Sequence, residues 1–255
     1  MNRFANKSVV ITGGSGGIGS VTGKLMAEEG ARVLLVDIDE KALKEIVRDF
    51  DSDPVEYAVA DVTKPEQVKA YVDKAVELFG GIDIFFNNAG VEGNVAPLDE
   101  YSLDEYHQLI HVNVNGMFFG LHYVFPVMKK NDKGGSIIMT SSVAGLMGTA
   151  NVTPYVTSKH AVIGMMRSAA LEGAGHNIRV NTVNPSPVDN RMMRSLESGF
   201  NPDESEKAKE QFEQMIPLGR YATNEEIAKM VMFLASEDSE FITGTVNPVD
   251  GGMTA

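Results

Sequence analysis

Residues 7–12 form a short run rich in β-branched side chains that passes directly into Thr12-Gly13-Gly14-Ser15-Gly16-Gly17-Ile18-Gly19, after which a helical pattern continues to Glu29. A strand, a glycine-rich turn and a helix in that order let backbone N–H groups and the positive end of the helix approach an anion with no side chains in the way. A turn of this composition suits a pyrophosphate, held by the backbone of Gly13, Ser15, Gly16, Gly17, Ile18 and Gly19. It also constrains the rest of the chain, because strand–turn–helix units of this kind assemble into parallel sheets covered by helices.

The remaining sequence obeys that constraint. Short β-branched or aromatic runs recur at 32–37, 55–60, 83–87, 136–141, 179–184 and 245–249, separated by longer helical patterns. The expected fold is a single Rossmann-type α/β domain over residues 1–255, a doubly wound seven-stranded parallel sheet with helices on both faces. Thr63, Ser102 and Thr223 each precede a glutamate by three residues (Glu66, Glu105, Glu226), which predicts three capping boxes. Gly30 and Gly80-Gly81 stand where helices should end, since glycine tolerates the left-handed conformation of a helix terminus. The irregular region is 186–217, bounded by Pro185 and Pro217 and interrupted by Pro187 and Pro202; it reads as a partly helical lid.

A formal net charge of −13 repels polyanions and argues against nucleic acid or an anionic membrane as partner. The absence of cysteine removes disulfides, thiolate metal sites and cysteine nucleophiles from consideration. Residues 1–7 lack the organisation of a signal peptide, and the apolar run at 9–11 is too short to span a bilayer, so a cytoplasmic location is expected.

Asp37 ends the second predicted strand about twenty residues beyond the glycines, where a carboxylate can accept both hydroxyl hydrogens of an adenosine ribose. A 2′-phosphate there would meet like charge, and the flanking Gly16 and Ile38 supply no basic side chain to pair with it, so NAD is favoured over NADP. Asp39 and Glu40 read as solvated carboxylates beside it.

Tyr155-Val156-Thr157-Ser158-Lys159 places a phenol and an ammonium on one face of a helix. Such a pair is commonplace on helix surfaces. It gains meaning from its company: the glycine-rich turn, Asp37, Asp61, Asn87-Asn88-Ala89-Gly90, Asn113-Val114-Asn115-Gly116 and Ser141-Ser142 precede it in order. With these motifs the whole chain resembles the classical short-chain dehydrogenase/reductase family.

The resemblance implies hydride transfer between NAD and a secondary alcohol or ketone. It casts Tyr155 as general acid/base and Lys159 as the group that holds the nicotinamide ribose and lowers the phenol pKa. Ser142, thirteen residues before the tyrosine, would hydrogen-bond the substrate oxygen, and Asn113, three residues before Gly116, would support a water-linked proton relay. Asp61 and Val62 would contact the adenine, and Asn88, Ala89 and Gly90 would lie along the cofactor. Pro185, Val188 and Asn190 would flank the nicotinamide. Two residues depart from the family pattern: Ser186 replaces a glycine and Asn190 a threonine, which predicts altered geometry with binding retained.

His107 and His111 have metal-pair spacing but no evident third ligand, so no metal is expected. Met192, Met193, Leu196, Phe200, Phe212 and Met215 in the lid would either face an apolar substrate portion or fix short helices to the body. The family resemblance also implies a homotetramer, with one contact near residues 244–252. Two other readings stand beside the leading one: a 3-oxoacyl-[acyl-carrier-protein] reductase, and a regulator that binds NAD(H) without turnover.

Overall fold

The computed structural model describes residues 2–50 and 55–255; Met1, part of the amino-terminal stretch considered above, and residues 51–54 lie outside it. Seven strands, β1 (Ser8–Thr12), β2 (Arg32–Asp37), β3 (Val55–Val59), β4 (Ile84–Asn87), β5 (Gly135–Thr140), β6 (Ile178–Pro185) and β7 (Val246–Val249), form one sheet in the order β3-β2-β1-β4-β5-β6-β7. Every pairing is parallel. The helices are α1 (Gly17–Glu28), α2 (Glu40–Arg48), α3 (Pro65–Phe79), α4 (Leu103–Ile110), α5 (Met117–Met128), α6 (Thr153–Ala174), α7 (Arg191–Phe200), α8 (Ser205–Gln214) and α9 (Asn224–Ala235). A π-helical segment, His111–Gly116, joins α4 to α5.

The strands read as continuous apolar runs because both faces of the sheet are covered. Alternate side chains serve alternate layers. Val10, Leu34, Phe85, Ile137 and Met139 pack with Val68 and Val72 of α3, Val124 of α5 and Val162 and Met166 of α6. Val9, Ile11, Val33, Leu35, Phe86 and Ile138 pack with Met26 of α1, Leu43 of α2 and Ile227 and Val231 of α9. The chain leaves β3 at one edge and returns through the centre to β4, so the strand order reverses between β1 and β4. In an open α/β sheet ligands bind at the carboxyl ends of the strands beside that reversal.

Of the three predicted capping boxes only Thr223–Glu226 closes in both directions. Ser102 accepts from the Glu105 N–H without the reciprocal bond. At α3 the cap is Lys64, because Pro65 occupies the first helical turn and moves the boundary one residue past Thr63. Thr63 instead gives both its N–H and its hydroxyl to the Asp61 carboxylate, at 2.9 and 2.7 Å. Asp39 is likewise no idle carboxylate: it caps α2 by accepting from the Ala42 N–H at 3.0 Å.

Candidate active site

The glycine-rich turn lies at the carboxyl end of β1, packed so closely that side chains are excluded. Gly13 has φ of 65°, and a methyl group at Gly14 would stand 2.8 Å from Leu35 Cβ. A methyl at Gly19 would run into the Gly13 carbonyl oxygen. No side chain caps the start of α1 after Gly16, so the first N–H groups of the helix have no side-chain partner. The turn is braced from the next strand: Thr12 Oγ1 accepts from the N–H groups of Asn88 and Ala89 at 2.9 and 3.1 Å. Asn88 Nδ2 donates to the Thr12 carbonyl at 3.1 Å, and its Oδ1 accepts from Thr140 at 2.9 Å. Asn87 ties β4 to the Met117 carbonyl at 2.9 Å.

Asp37 is bonded to this turn. One carboxylate oxygen accepts from Ser15 N–H at 3.0 Å, the other from the N–H groups of Ile38 and Asp39 at 2.8 and 3.2 Å. A carboxylate has lone pairs left for two ribose hydroxyls, and Ile38 beside it is exposed. Asp61 has the turn-holding contacts with Thr63 described above. Burial alone would raise its pKa, but the hydrogen bonds from Thr63 and the charge of Lys64 hold it below the usual carboxylate range. Val62 packs against Gly116 of the π-helical segment.

Beyond the turn, the ends of β4 and β5 and the first turns of α6 meet. Ser141 faces away and donates to the Lys159 carbonyl at 2.9 Å, while Ser142 Oγ accepts from Ala144 N–H at 3.1 Å and reaches the Pro185 carbonyl at 3.4 Å. The two serines thus diverge as expected. Lys159 is buried, with Nζ donating to the Thr140 carbonyl at 3.0 Å and lying 5.4 Å from the centroid of the Tyr155 ring. Burial pushes its pKa down to about 8.

Tyr155 moves the other way, up to about 12, because burial outweighs its hydrogen bond with Ser142 and the Glu92 charge adds to the rise. The ammonium sits over the ring face, and desolvation governs the hydroxyl.

Asn113 is fully buried within the π-helical segment. Its Oδ1 accepts from Val91 N–H at 2.8 Å, and its amide hydrogens go to the Val91 carbonyl at 2.9 Å and Ser158 Oγ at 3.1 Å. It clamps the chain after Gly90 to α6, with Gly90 close to both Asn113 Oδ1 and Lys159 Nζ. Asn115 pairs with His111 Nδ1 at 2.8 Å, which separates the two asparagines as the sequence pattern had.

At the end of β6, Ser186 is buried and donates its N–H to the Val249 carbonyl, and Val188 bridges to Ala222. Asn190 caps α7 through Met192 N–H at 3.1 Å and donates to Asn224 Oδ1 at 3.2 Å, and Asn224 in turn touches Gly17. The amide expected at the nicotinamide thus also links the lid to the glycine-rich turn.

In the 186–217 segment, Met193, Leu196 and Phe212 pack with Ile216, Tyr221 and Met253, and Phe200 stacks edge-on to Phe212. These residues fix α7 and α8 to the body, while Met215 is exposed. The buried Glu197 carboxylate accepts from Tyr221 OH at 2.9 Å and Arg194 at 2.8 Å, and Arg194 also meets Asp189 at 2.6 Å. Burial and then Glu197 raise the Tyr221 pKa. Sequence reasoning passed over Asn224, Glu197, Tyr221 and the buried Glu92; each is a single polar residue with no motif around it, and only the Asn224-Glu225 helix start gave a local signal.

A family model described as enoyl-(acyl carrier protein) reductase matches residues 13–254. Levodione reductase of Leifsonia aquatica is 37% identical over 257 residues, covering 99% of this chain and 96% of its own. Cyclohexanol dehydrogenase of Acinetobacter sp. (strain SE19) is 37% identical over 256 residues, covering 100% and 97%. A crystal structure of levodione reductase superposes with a TM-score of 0.95 at 37% identity, covering 98% of both chains. One of NAD+-bound xylitol dehydrogenase does so at 0.91 and 35%, covering 98% of this chain and 99% of that one.

Proposed function

The chain belongs to the classical short-chain dehydrogenase/reductase family, and from that membership we propose that it is an NAD(H)-dependent oxidoreductase acting on a secondary alcohol or ketone. One observation carries the reading: Ser142, Tyr155, Lys159 and Asn113 meet in one place beside a glycine-rich turn that has no room for side chains. A regulator without turnover has no need of that set.

The site fits a dinucleotide. N–H groups of Gly17, Ile18 and Gly19 at the start of α1 would hold the pyrophosphate, with Gly13, Ser15 and Gly16 shaping the turn that admits it, Asp37 the adenosine ribose, and Asp61 and Val62 the adenine. Asn88, Ala89 and Gly90 would line its path, with Pro185, Val188 and Asn190 at the nicotinamide end. Lys159 gives one donor to Thr140 and has two left for the second ribose. Asp37 and the absence of a basic side chain at Gly16 and Ile38 support NAD over NADP.

When bound, the nicotinamide supplies hydride exchange with the carbinol carbon. Ser142 would orient the substrate oxygen by a hydrogen bond that strengthens as charge develops there. Tyr155 would move the proton at the same oxygen. With its pKa near 12 the phenol is neutral at physiological pH and ready to donate in reduction; acting as a base requires added positive charge beside it. Asn113 would serve proton transfer by positioning, because both its amide hydrogens are spent.

We further propose that 186–217 acts as the substrate lid, that the enzyme works in the cytoplasm, and that it is a homotetramer. Exposed Phe118 on α5, Leu171 on α6 and Phe241 ahead of β7 support the assembly. Among the described residues no helix is long and apolar enough to cross a membrane.

The test is steady-state turnover of secondary alcohols and ketones with NAD(H) and NADP(H), in wild type and Tyr155→Phe. NAD(H) is expected to be the better cofactor, and Tyr155→Phe to lower kcat by about a hundred- to ten-thousandfold. Normal turnover in the variant would refute the mechanism. Better turnover of an acyl-carrier thioester with NADPH would establish the carrier-protein reductase instead.

A further inference from the structure

The proposed chemistry leaves one buried charge without a task. Glu92 follows Gly90 by two residues and is only 9% exposed. Among the described residues its carboxylate accepts no hydrogen bond; the Arg191 guanidinium at the start of α7 stands 3.8 Å away with its side chain 83% exposed. Such a contact supplies little stabilisation through water. Its oxygens are not among the buried unpaired atoms and keep contact with solvent, so a ligand hydroxyl that displaces that water would supply the carboxylate with a donor.

The burial is imposed by the loop. Val91 is clamped at both backbone groups by Asn113, Asn94 N–H donates to Tyr101 OH at 3.1 Å, and Ala96 N–H donates to the Asn151 carbonyl at 2.9 Å. Val95 packs under Gly199 of α7. Glu92 is therefore held on a braced loop, facing Arg191 at the start of α7 and close enough for its charge to act on the Tyr155 phenol.

We propose that Glu92 is a specificity-determining residue whose carboxylate accepts a hydrogen bond from a second hydroxyl of the substrate, so that the preferred substrates are diols or hydroxy ketones rather than simple alcohols. A neutral donor fits better than an ammonium, because Arg191 already faces the carboxylate with a positive charge. Substrates carrying a carboxylate or phosphate at that point meet like charge. The inference rests on the oxidoreductase reading above, with Glu92 touching the part of the substrate remote from the reacting carbon.

The test compares NAD+-linked kcat/KM for cyclohexanol, the cyclohexane-1,2-, 1,3- and 1,4-diols and 2-aminocyclohexanol in wild type, Glu92→Leu and Glu92→Gln, with NADH binding as the check on folding. Wild type should prefer at least one diol. Glu92→Leu should lower the diol-to-cyclohexanol ratio by about tenfold or more, chiefly through KM, and Glu92→Gln, which keeps an acceptor, by less. An unchanged ratio in Glu92→Leu overturns the inference, as does a wild-type preference for cyclohexanol or for the amino alcohol. Should Glu92→Leu fail to bind NADH, Glu92→Gln carries the test, and an unchanged ratio there overturns it equally. A wild type inert toward every alcohol and ketone with either cofactor refutes the oxidoreductase reading itself.

Discussion

The glycine-rich turn and the 186–217 segment line the same cleft but are held in different ways. At the turn, backbone lies against backbone and the spaces are filled by buried amide bonds from Thr12 and Asn88. Around the 186–217 segment, a small apolar cluster of Met193, Ile216 and Tyr221 is joined through the buried Glu197 to the part-exposed Arg194 and the exposed Asp189. Backbone contact at the turn cannot relax without moving a strand, whereas side chains in the lid can repack. On the proposed function, cofactor geometry is built into the sheet, and substrate geometry is left to side chains that can vary without disturbing it.

Three substitutions probe this difference, the largest effect first. Gly19→Ala presses a methyl group against the Gly13 carbonyl, where only a backbone shift gives relief. It should lower kcat/KM for NAD+ by about a hundredfold, the scale of an ångström-level misplacement. Cofactor kinetics within a fewfold of wild type would show that the turn yields more easily than its packing implies.

Glu197→Ala removes the acceptor of the buried Tyr221 hydroxyl and one partner of Arg194. A buried donor left unpaired costs about 1–3 kcal/mol, which for a chain of this size lowers Tm by about 2–4 °C per kcal/mol. Calorimetry should show that loss while NADH affinity is retained and substrate KM rises. A fall in NADH affinity as large as that from Gly19→Ala would erase the distinction between the two regions.

Gly199→Ala is the gentler counterpart of the first substitution. Its methyl meets a Val95 side-chain carbon at 2.7 Å, on a loop that can give way. Overpacking of this kind costs about 1 kcal/mol, so a small fall in Tm with a modest rise in substrate KM is expected. Because Val95 lies on the Glu92 loop, the change should be greater for diols than for cyclohexanol; equal effects would separate that loop from substrate selection.

Legibility in the sequence follows the same division. All seven strands lie within two residues of their predicted positions; two-sided burial writes a continuous apolar run into the central β1, β2, β4 and β5, and β-branched or aromatic residues mark the others. The glycine-rich turn is a local pattern, whereas the choice of Ser142 over Ser141 and of Asn113 over Asn115 came from the family pattern; in the fold Ser141 turns to the Lys159 carbonyl and Asn115 to His111. The capping prediction at Thr63 failed because Pro65 outranks a hydroxyl in setting where a helix begins. Asn190 looked like a cofactor contact alone, while its tie to Asn224 joins residues 34 positions apart.

The sequence by itself determined the parallel sheet, the glycine-rich turn and the phenol–ammonium spacing, because each is a local pattern within one element or two adjoining ones. Only the tertiary structure decided the environment of that pair, with burial pushing Tyr155 up and Lys159 down. It also decided which carboxylates stay in water and which, like Glu92 and Glu197, are enclosed. Desolvation depends on everything packed around a group from every direction, and no stretch of chain around that group contains the information.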